Sequence, residues 1–163
     1  MTDELVIRPA EATDGPALGR LGGALLRQHH AWDELRFLSV ADPEEGYARF
    51  LVAELASPTS VVLVADRAGA AVGYAYGSLE PMSWKELRGP CGFLHDVLVD
   101  DGERGRGVGE RLVTEVVTRL EERGAPRVVL WSAAKNPRAQ ALFARLGFRM
   151  TMCEMTRERG GQR

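Results

Sequence analysis

Apolar positions along the chain change repeatedly between short runs typical of strands and the three-to-four-residue spacing typical of helices. The short runs predict six strands, over residues 5–8, 61–65, 71–79, 93–99, 128–131 and 148–155. Helical spacing predicts two helices between the first two strands, one before residue 124 and one before residue 147. The sequence therefore predicts an order of one strand, two helices, three strands, helix, strand, helix and strand.

Residues at the predicted helix ends agree with this division. Thr13 or Asp14 can cap the first helix, whose apolar stripe is Leu18, Leu21 and Leu25. Asp42-Pro43 starts the second, and its apolar positions (Tyr47, Phe50, Leu51 and Leu55) predict the buried face. Gly124 and Gly147 stand where the third and fourth helices should end.

The order of elements predicts one α/β domain spanning residues 1–163, with a mixed, mostly antiparallel sheet flanked by about four helices. A turn at 66–70 joins an antiparallel hairpin, and the strand–helix–strand crossover follows downstream. Residues 158–163 are expected to form a disordered tail.

Charge and composition narrow the function classes. The 163 residues carry a formal net charge of −2, so no overall basic field favours nucleic acid as a partner. The acidic start at residues 1–4 lacks a secretion signal, and no apolar run approaches ~20 residues. We expect a cytoplasmic protein without a membrane partner. Cys91 and Cys153 have no metal-type spacing, so neither a metal site nor a disulfide is expected.

The segment Arg104-Gly105-Arg106-Gly107-Val108-Gly109 lies between a predicted strand and a predicted helix. Glycines allow close approach of the backbone, and a helix N-terminus presents unpaired N–H groups and partial positive charge. Together with the two arginines, these features predict an anion site for a phosphate or diphosphate. A glycine-rich turn with solvated arginines is the structural alternative.

A second segment makes the first more specific. It comprises Asn136-Pro137-Arg138-Ala139, Leu142-Phe143 and Gly147-Phe148. Taken together, the two segments resemble the GNAT superfamily of N-acetyltransferases over essentially the whole chain. The resemblance implies a GNAT-like fold with a splayed central strand pair, and acetyl-coenzyme A as the co-substrate.

The resemblance also implies roles for individual residues. The backbone of Arg104, Gly105, Arg106, Gly107, Val108 and Gly109 would hold the coenzyme's pyrophosphate. Backbone groups of Val97, Leu98 and Val99 would pair with the pantetheine arm, which Asn136 would bond and Phe143 would pack against. Asn136 can equally cap the last helix.

Other phosphate-binding motifs fit the sequence less well. Glu110 stands where a dinucleotide fingerprint needs its third glycine. No Gly-Lys-Ser/Thr sequence is present for a P-loop.

His95 and Asp96 are the candidate catalytic residues. Segment 93–99 resembles the strand of arylalkylamine N-acetyltransferases in which a histidine serves as the base, and a histidine can accept a proton at neutral pH. Strand alternation points Asp96 to the opposite face from His95, unless a β-bulge shifts the register and lets Asp96 act as the base. His95 can also be a hydrogen-bonded core residue.

Phe143 departs from the family pattern, because a tyrosine often stands at this position to protonate the leaving thiolate. Tyr74, Tyr76 and Ser132 are candidate substitutes.

The two functional hypotheses are an N-acetyltransferase acting on a small-molecule or peptide amine, and an acyl-coenzyme A-binding sensor with little turnover. Monomer and homodimer both remain open.

The acceptor site is expected near the first two helices and the loop before the central strand. His30, Trp32 and Trp84 are the candidate substrate contacts there. An aromatic and acidic lining would suit a cationic amine, while packing of the loops is the structural alternative.

Overall fold

A computed structural model describes residues 4–161. Four α-helices and five strands follow one another in the order β1, α1, α2, β2, β3, β4, α3, β5, α4. The strands are β1 (Leu5–Pro9), β2 (Ser60–Arg67), β3 (Ala70–Glu80), β4 (Cys91–Val99) and β5 (Val128–Leu130). The helices are α1 (Gly15–Trp32), α2 (Pro43–Glu54), α3 (Val108–Glu122) and α4 (Pro137–Arg145).

The sheet has the order β1-β2-β3-β4-β5, with β1 to β4 antiparallel and β5 parallel to β4. Pairing of β5 with β4 covers three residues and ends at Leu94↔Leu130, while β4 continues to Val99. The two strands therefore separate after Leu94, and they form the predicted splayed pair.

Each face of the sheet carries its own core. Leu18, Leu21 and Leu25 of α1 and Leu51 of α2 pack with Tyr74, Tyr76 and Leu98 on one face. The apolar stripe of α3 packs on the other face, where Phe143 of α4 joins it. The predicted stripe of α1 is confirmed. Phe50, predicted on the buried face of α2, is instead 45% exposed.

Close contact between α1 and α2 depends on glycines of α1. A Cβ placed on Gly22 would lie 2.3 Å from Cδ1 and 2.8 Å from Cβ of Tyr47, and one on Gly19 would lie 2.4 Å from the carbonyl oxygen of Glu44. Real Cβ atoms do not approach other heavy atoms this closely. The absence of a side chain on α1 therefore sets how near α2, with Tyr47, can lie.

We expect Gly22→Ala to lower the free energy of unfolding by about 1–3 kcal/mol, since the new methyl group forces α2 away from α1. Gly46→Ala in α2 is the matched control, because a Cβ there would meet no atom within 4 Å. Alanine's higher helix propensity should leave that variant unchanged or stabilised by up to about 1 kcal/mol. Urea unfolding of both variants tests this, and equal stability of the two would contradict the packing argument.

The predicted strand at 148–155 is wrong. Residues 149–157 form no strand and lie exposed on the surface, and Met150 and Met152 are 76% and 77% exposed. The sequence alternates enough to suggest a strand, but β5 offers an edge of only three residues for a further strand to pair with. Of the predicted tail, residues 158–161 include a turn in which Gly161 N donates to Glu158 O at 3.3 Å, and residues 162–163 lie outside the described part.

Within residues 4–161, no helix is long and apolar enough to cross a bilayer. In the same range, no group of three or more histidine, cysteine, aspartate or glutamate side chains is arranged to hold a metal ion. Cys91 is buried and Cys153 exposed, and both are free thiols.

Candidate active site

A β-bulge in β4 brings the two candidate catalytic residues to one cavity. Ala75 pairs with Val97 and Tyr76 with Asp96, but the next residue of β3, Gly77, pairs with Leu94. His95 is therefore the additional residue of β4, and the simple alternation of faces is interrupted. Both His95 and Asp96 line the cavity, so the expectation from alternation that Asp96 points to the opposite face is wrong.

The cavity lies where β4 and β5 separate and has a volume of about 240 Å³. The residues around it come from α1 and the loop after it, from α2, from β4 and β5, from the segment after β5, and from α4. They include Leu25, His29, Phe37, Leu38, Tyr47, His95, Asp96, Trp131, Ser132, Asn136 and Phe143. The splayed strands thus open a pocket on the side where α1 and α2 pack.

Stacking and hydrogen bonding fix the ring of His95. It lies between Tyr76 and Phe93, with ring centroids 4.9 and 4.7 Å away and planes inclined at 25° and 14°. Its Nε2 is 2.8 Å from Ser78 Oγ, and the Ser78 hydroxyl donates to Glu80 Oε1 at 2.7 Å. Because that hydroxyl hydrogen points to Glu80, Ser78 Oγ accepts from Nε2–H of His95. In the neutral ring, Nδ1 then carries the lone pair.

Sequence reasoning missed Ser78 and Glu80 as partners of His95. The available signal was their spacing, since residues two apart on β3 project from the same face of the sheet. Glu80 Oε1 also lies 3.3 Å from His95 Nε2. This carboxylate favours the tautomer that carries its proton on Nε2.

Asp96 is the one carboxylate among the described residues that line the cavity. It accepts a 2.9 Å hydrogen bond from the Tyr74 hydroxyl. Burial raises the pKa of Asp96 above its usual value, and the Tyr74 hydrogen bond opposes that rise in part. Burial also raises the pKa of Tyr74, which therefore remains a neutral donor.

The hydroxyl of Tyr76 has a partner outside the cavity. It donates to Glu54 Oε2 at 2.9 Å, and burial, with the neighbouring Glu54, raises the pKa of Tyr76 to about 12. Of the three candidate acids, Tyr74 and Tyr76 are thus engaged with carboxylates, whereas Ser132 lines the cavity.

The three predicted acceptor contacts lie in different parts of the fold, and none of them lines the cavity. His30 Nδ1 bonds the carbonyl oxygen of Phe37 at 2.9 Å, and Trp32 packs edge-on against His29, but neither lines the cavity. Trp84 is 80% exposed on the loop between β3 and β4. Their role in acceptor binding stays a prediction. Phe37, Tyr47 and Trp131 line the cavity and were not predicted as site residues.

The glycine-rich segment has the geometry of an anion cradle. Gly105 and Gly107 both have φ of +79°, the left-handed region that favours glycine. Gly107 caps α3, which begins at Val108, so the first N–H groups of the helix point out towards the open space beside it. A Cβ on Gly107 would meet no protein atom within 4 Å and would instead fill that space.

The charged side chains around the cradle are mostly paired. Arg104 donates from Nε to the carbonyl oxygen of Val99 at 3.1 Å and pairs with Asp101 at 2.8 Å. Arg106 lies 3.5 Å from Glu103. No role was predicted for Arg138, which lies at the start of α4. Its Nη2 would be 3.8 Å from a Cβ atom placed on Gly105. The cradle therefore relies on backbone N–H groups and the α3 dipole, with Arg138 beside it.

Two residues of α4 connect the cradle with the cavity. Asn136 Oδ1 accepts from Ala139 N at 3.2 Å, which caps α4 and leaves the side-chain amide N–H groups for another partner. Phe143 lines the cavity and packs edge-on against Phe148, with centroids 5.9 Å apart. Helix capping, the structural alternative for Asn136, is thus observed, and it does not use the amide donors.

β4 thus carries a histidine at a cavity and a strand edge that β5 leaves free past Leu94, and the glycine-rich segment follows its end. The model of the family described as "Acetyltransferase (GNAT) family" matches residues 26–148, which is most of the chain. The chain belongs to the acetyltransferase (GNAT) family. The resemblance identified from the two sequence motifs is confirmed, and the protein is an acyltransferase by family.

Curated relatives and solved structures agree with the GNAT assignment. The chain is 32% identical over 143 residues to the L-2,4-diaminobutyric acid acetyltransferase of Nocardia farcinica, covering 84% of this chain and 70% of the relative. It is 32% identical over 129 residues to the mycothiol acetyltransferase of Thermobispora bispora, covering 75% of this chain but only 43% of the relative.

Among solved structures, an aminoglycoside N-acetyltransferase in complex with coenzyme A has a TM-score of 0.76 at 19% identity, covering 98% of this chain and 97% of that one. A "predicted acetyltransferase" from Clostridium acetobutylicum, solved with acetyl-coenzyme A, has a TM-score of 0.72 at 16% identity, with 94% and 96% covered. At these identities the likeness shows that the GNAT fold is shared.

Proposed function

We propose that the protein transfers an acetyl group from acetyl-coenzyme A to a primary amine by direct attack in a ternary complex. The observation that carries this proposal is the β4 bulge, which places His95 and Asp96 on a cavity reached by an unpaired strand edge and a glycine cradle. The acceptor is a small-molecule or peptide amine. Relatives named for diaminobutyric acid and mycothiol support an amine acceptor of low molecular weight.

The residues present fit acetyl-coenzyme A. Open space at Gly107 and the N-terminus of α3 suit its pyrophosphate, with the guanidinium of Arg138 nearby. Past Leu94, the edge of β4 that β5 leaves free offers backbone groups at 97–99, and an extended pantetheine arm can pair with them as an added strand does. When bound, the coenzyme supplies an acetyl thioester whose C–S bond breaks as the amine nitrogen bonds to the carbonyl carbon.

His95 is proposed as the general base. An alkylammonium ion has a pKa near ~10.4, so the attacking nitrogen must lose a proton at neutral pH. The lone pair of His95 is on Nδ1, because Nε2 donates to Ser78. Nδ1 accepts the amine proton, directly or through one water, and Glu80 stabilises the resulting imidazolium from the other side of the ring.

Asp96 and the cavity walls would orient the amine. The carboxylate attracts an incoming ammonium ion and holds the nitrogen beside β4, within reach of the same cavity as His95. Asp96 remains the alternative base if His95 proves dispensable.

Phe143 stands where the family often has a tyrosine, and it cannot donate a proton to the departing thiolate. Ser132 lines the cavity, whereas the hydroxyls of Tyr74 and Tyr76 donate to carboxylates. We propose Ser132, or water beside it, as the proton source. A thiol has an ordinary pKa near ~8.5, so its thiolate is also a fair leaving group without assistance.

Thiol release from acetyl-coenzyme A, measured over a panel of primary amines, tests the proposed function. We expect amine-dependent release together with acetylated product in mass spectra. Calorimetric binding of acetyl-coenzyme A without turnover on any amine would instead favour the sensor hypothesis, which Phe143 motivates. Tight ATP or NAD binding with none for acetyl-coenzyme A would contradict both.

A further inference from the structure

The charges around the cavity are unevenly distributed. Among the cavity-lining side chains described within residues 4–161, Asp96 is the only carboxylate, and none is lysine or arginine. The remaining polar side chains there are neutral or imidazole groups, including His29, Ser132 and Asn136. His29 Nδ1 donates to the carbonyl oxygen of Leu25 at 2.9 Å, so in the neutral ring the lone pair is on Nε2. The cavity therefore favours a cation and offers no fixed positive charge to an anion.

Two cationic side chains on segments that line the cavity have partners elsewhere. The guanidinium of Arg36 pairs with Glu154 and lies 5.0 Å from the centroid of the Phe37 ring. Lys135 Nζ donates to the carbonyl oxygen of Trp32 at 2.7 Å. Neither residue lines the cavity. A carboxylate entering with the amine would therefore meet Asp96 without a compensating cation.

The other walls are apolar and partly open. Leu38 and Trp131 at the cavity are 63% and 68% exposed, and Phe37 and Tyr47 are half-buried beside them. Large exposed apolar side chains around a concave site are typical of surfaces that a ligand covers. Burying them against an apolar ligand would contribute about 25 cal/mol for each Å² removed from water.

We propose that the acceptor is a primary amine on an apolar or aromatic body, without a carboxylate next to the nitrogen. The inference rests on the proposed function and specifies the substrate class of its acceptor site. The ammonium approaches Asp96, the body lies against Leu38, Trp131, Phe37 and Tyr47, and His95 Nδ1 takes the proton as the N–C bond forms. This acceptor class differs from the diaminobutyric acid in the name of the relative from Nocardia farcinica.

Matched pairs of acceptors test the proposal on the wild-type enzyme with acetyl-coenzyme A. Tyramine is compared with tyrosine and with tyrosine methyl ester, and phenethylamine with phenylalanine, each rate being expressed per concentration of neutral amine. We expect kcat/KM for the amines to exceed that for the amino acids by at least ~10²-fold. The ester should recover most of that difference, because it keeps the bulk but loses the charge. Propylamine should be poorer than phenethylamine.

The possible results separate the inference from the proposed function. Amino acids acetylated as well as their amines would overturn the inference while leaving acetyl transfer to an amine intact. Binding of acetyl-coenzyme A with neither class acetylated would also overturn it. Absence of acetyl-coenzyme A binding in calorimetry would instead remove the proposed function itself.

A pair of leucine variants tests the charge argument directly. Leu38 lines the cavity, whereas Leu35, on the same loop and 60% exposed, does not. We expect Leu38→Arg to lower the ratio of kcat/KM for tyramine to kcat/KM for tyrosine by ~10-fold or more, because the arginine supplies the missing cation. Leu35→Arg should leave this ratio unchanged. An unchanged ratio in both variants would contradict the argument.

Asp96→Asn adds a readout that does not depend on turnover. Burial raises the pKa of Asp96 in the folded protein, so its ionisation subtracts from stability as pH rises above the carboxyl's ordinary range. We expect Asp96→Asn to raise the midpoint of thermal unfolding at pH 7, and to raise KM for tyramine more than it lowers kcat. A lower midpoint together with an unchanged KM would show that Asp96 is structural, and would overturn its part in the inference.

Discussion

Replacement of His95 by glutamine is expected to lower kcat by ~10²–10⁴-fold at neutral pH, the usual contribution of a positioned general base. Glutamine retains an N–H donor for Ser78 but has no group that accepts a proton near neutral pH. The loss should shrink as pH rises towards the ordinary amine pKa of ~10.4, because the acceptor then loses its proton without help. Thiol release from pH 6 to pH 10, with wild type and variant, measures both effects.

Affinity for acetyl-coenzyme A is the control for the His95 variant, since the glycine cradle is formed by other residues and should bind unchanged. Calorimetry with the coenzyme checks this. A variant with normal kcat across the pH range would exclude His95 as the base and move that role to Asp96. A loss that is equal at every pH would indicate a structural role for the ring, which lies between Tyr76 and Phe93.

Gly107→Val is expected to weaken acetyl-coenzyme A binding by at least ~10²-fold. The side chain would project into the open space beside the α3 N-terminus, and two charge-assisted hydrogen bonds of about 1.5–3 kcal/mol each would be lost. Valine also adopts the +79° φ of this position only with strain, at a cost of about 1–2 kcal/mol or more in stability. Calorimetry and thermal unfolding measure the two effects separately.

Gly124→Val is the matched control at the opposite end of α3. Gly124 also has a positive φ, +96°, and open space around it. Its valine variant should therefore lose stability to a similar extent but bind acetyl-coenzyme A normally. Weakened binding in both variants would mean that helix strain, rather than filling of the cradle, is responsible.

Local sequence signals were sufficient for most of the fold. The Asp42-Pro43 and Asn136-Pro137 starts and the glycine after α3 agree with the observed helix ends within a few residues. The predicted strand at 148–155 failed for a non-local reason. Its alternating pattern is compatible with a strand, but strand formation needs a partner edge, and the length of β5 could not be read from residues 148–155 themselves.

The relative position of His95 and Asp96 was only partly predictable, for a related reason. Alternation along 93–99 separates His95 from Asp96, and only the pairing of β4 with β3 shows that the ladder skips His95. The partners Ser78 and Glu80 depend on the same register. The glycine-rich segment and the start of α4, by contrast, were predictable, because glycine conformation and helix capping are local properties. The +79° φ of Gly105 and Gly107 illustrates this.

The contact of Gly22 with Tyr47 links acceptor choice to residues that never touch the acceptor. Tyr47 is a wall of the cavity, and its position follows from how closely α2 approaches the bare backbone of α1. A single added methyl group on α1 would therefore change the size of the cavity. The identity of every lining residue and of the glycine-rich segment would stay the same. Under the proposed function, residues that set the spacing of α1 and α2 would change the range of accepted amines without any change in a cavity-lining residue.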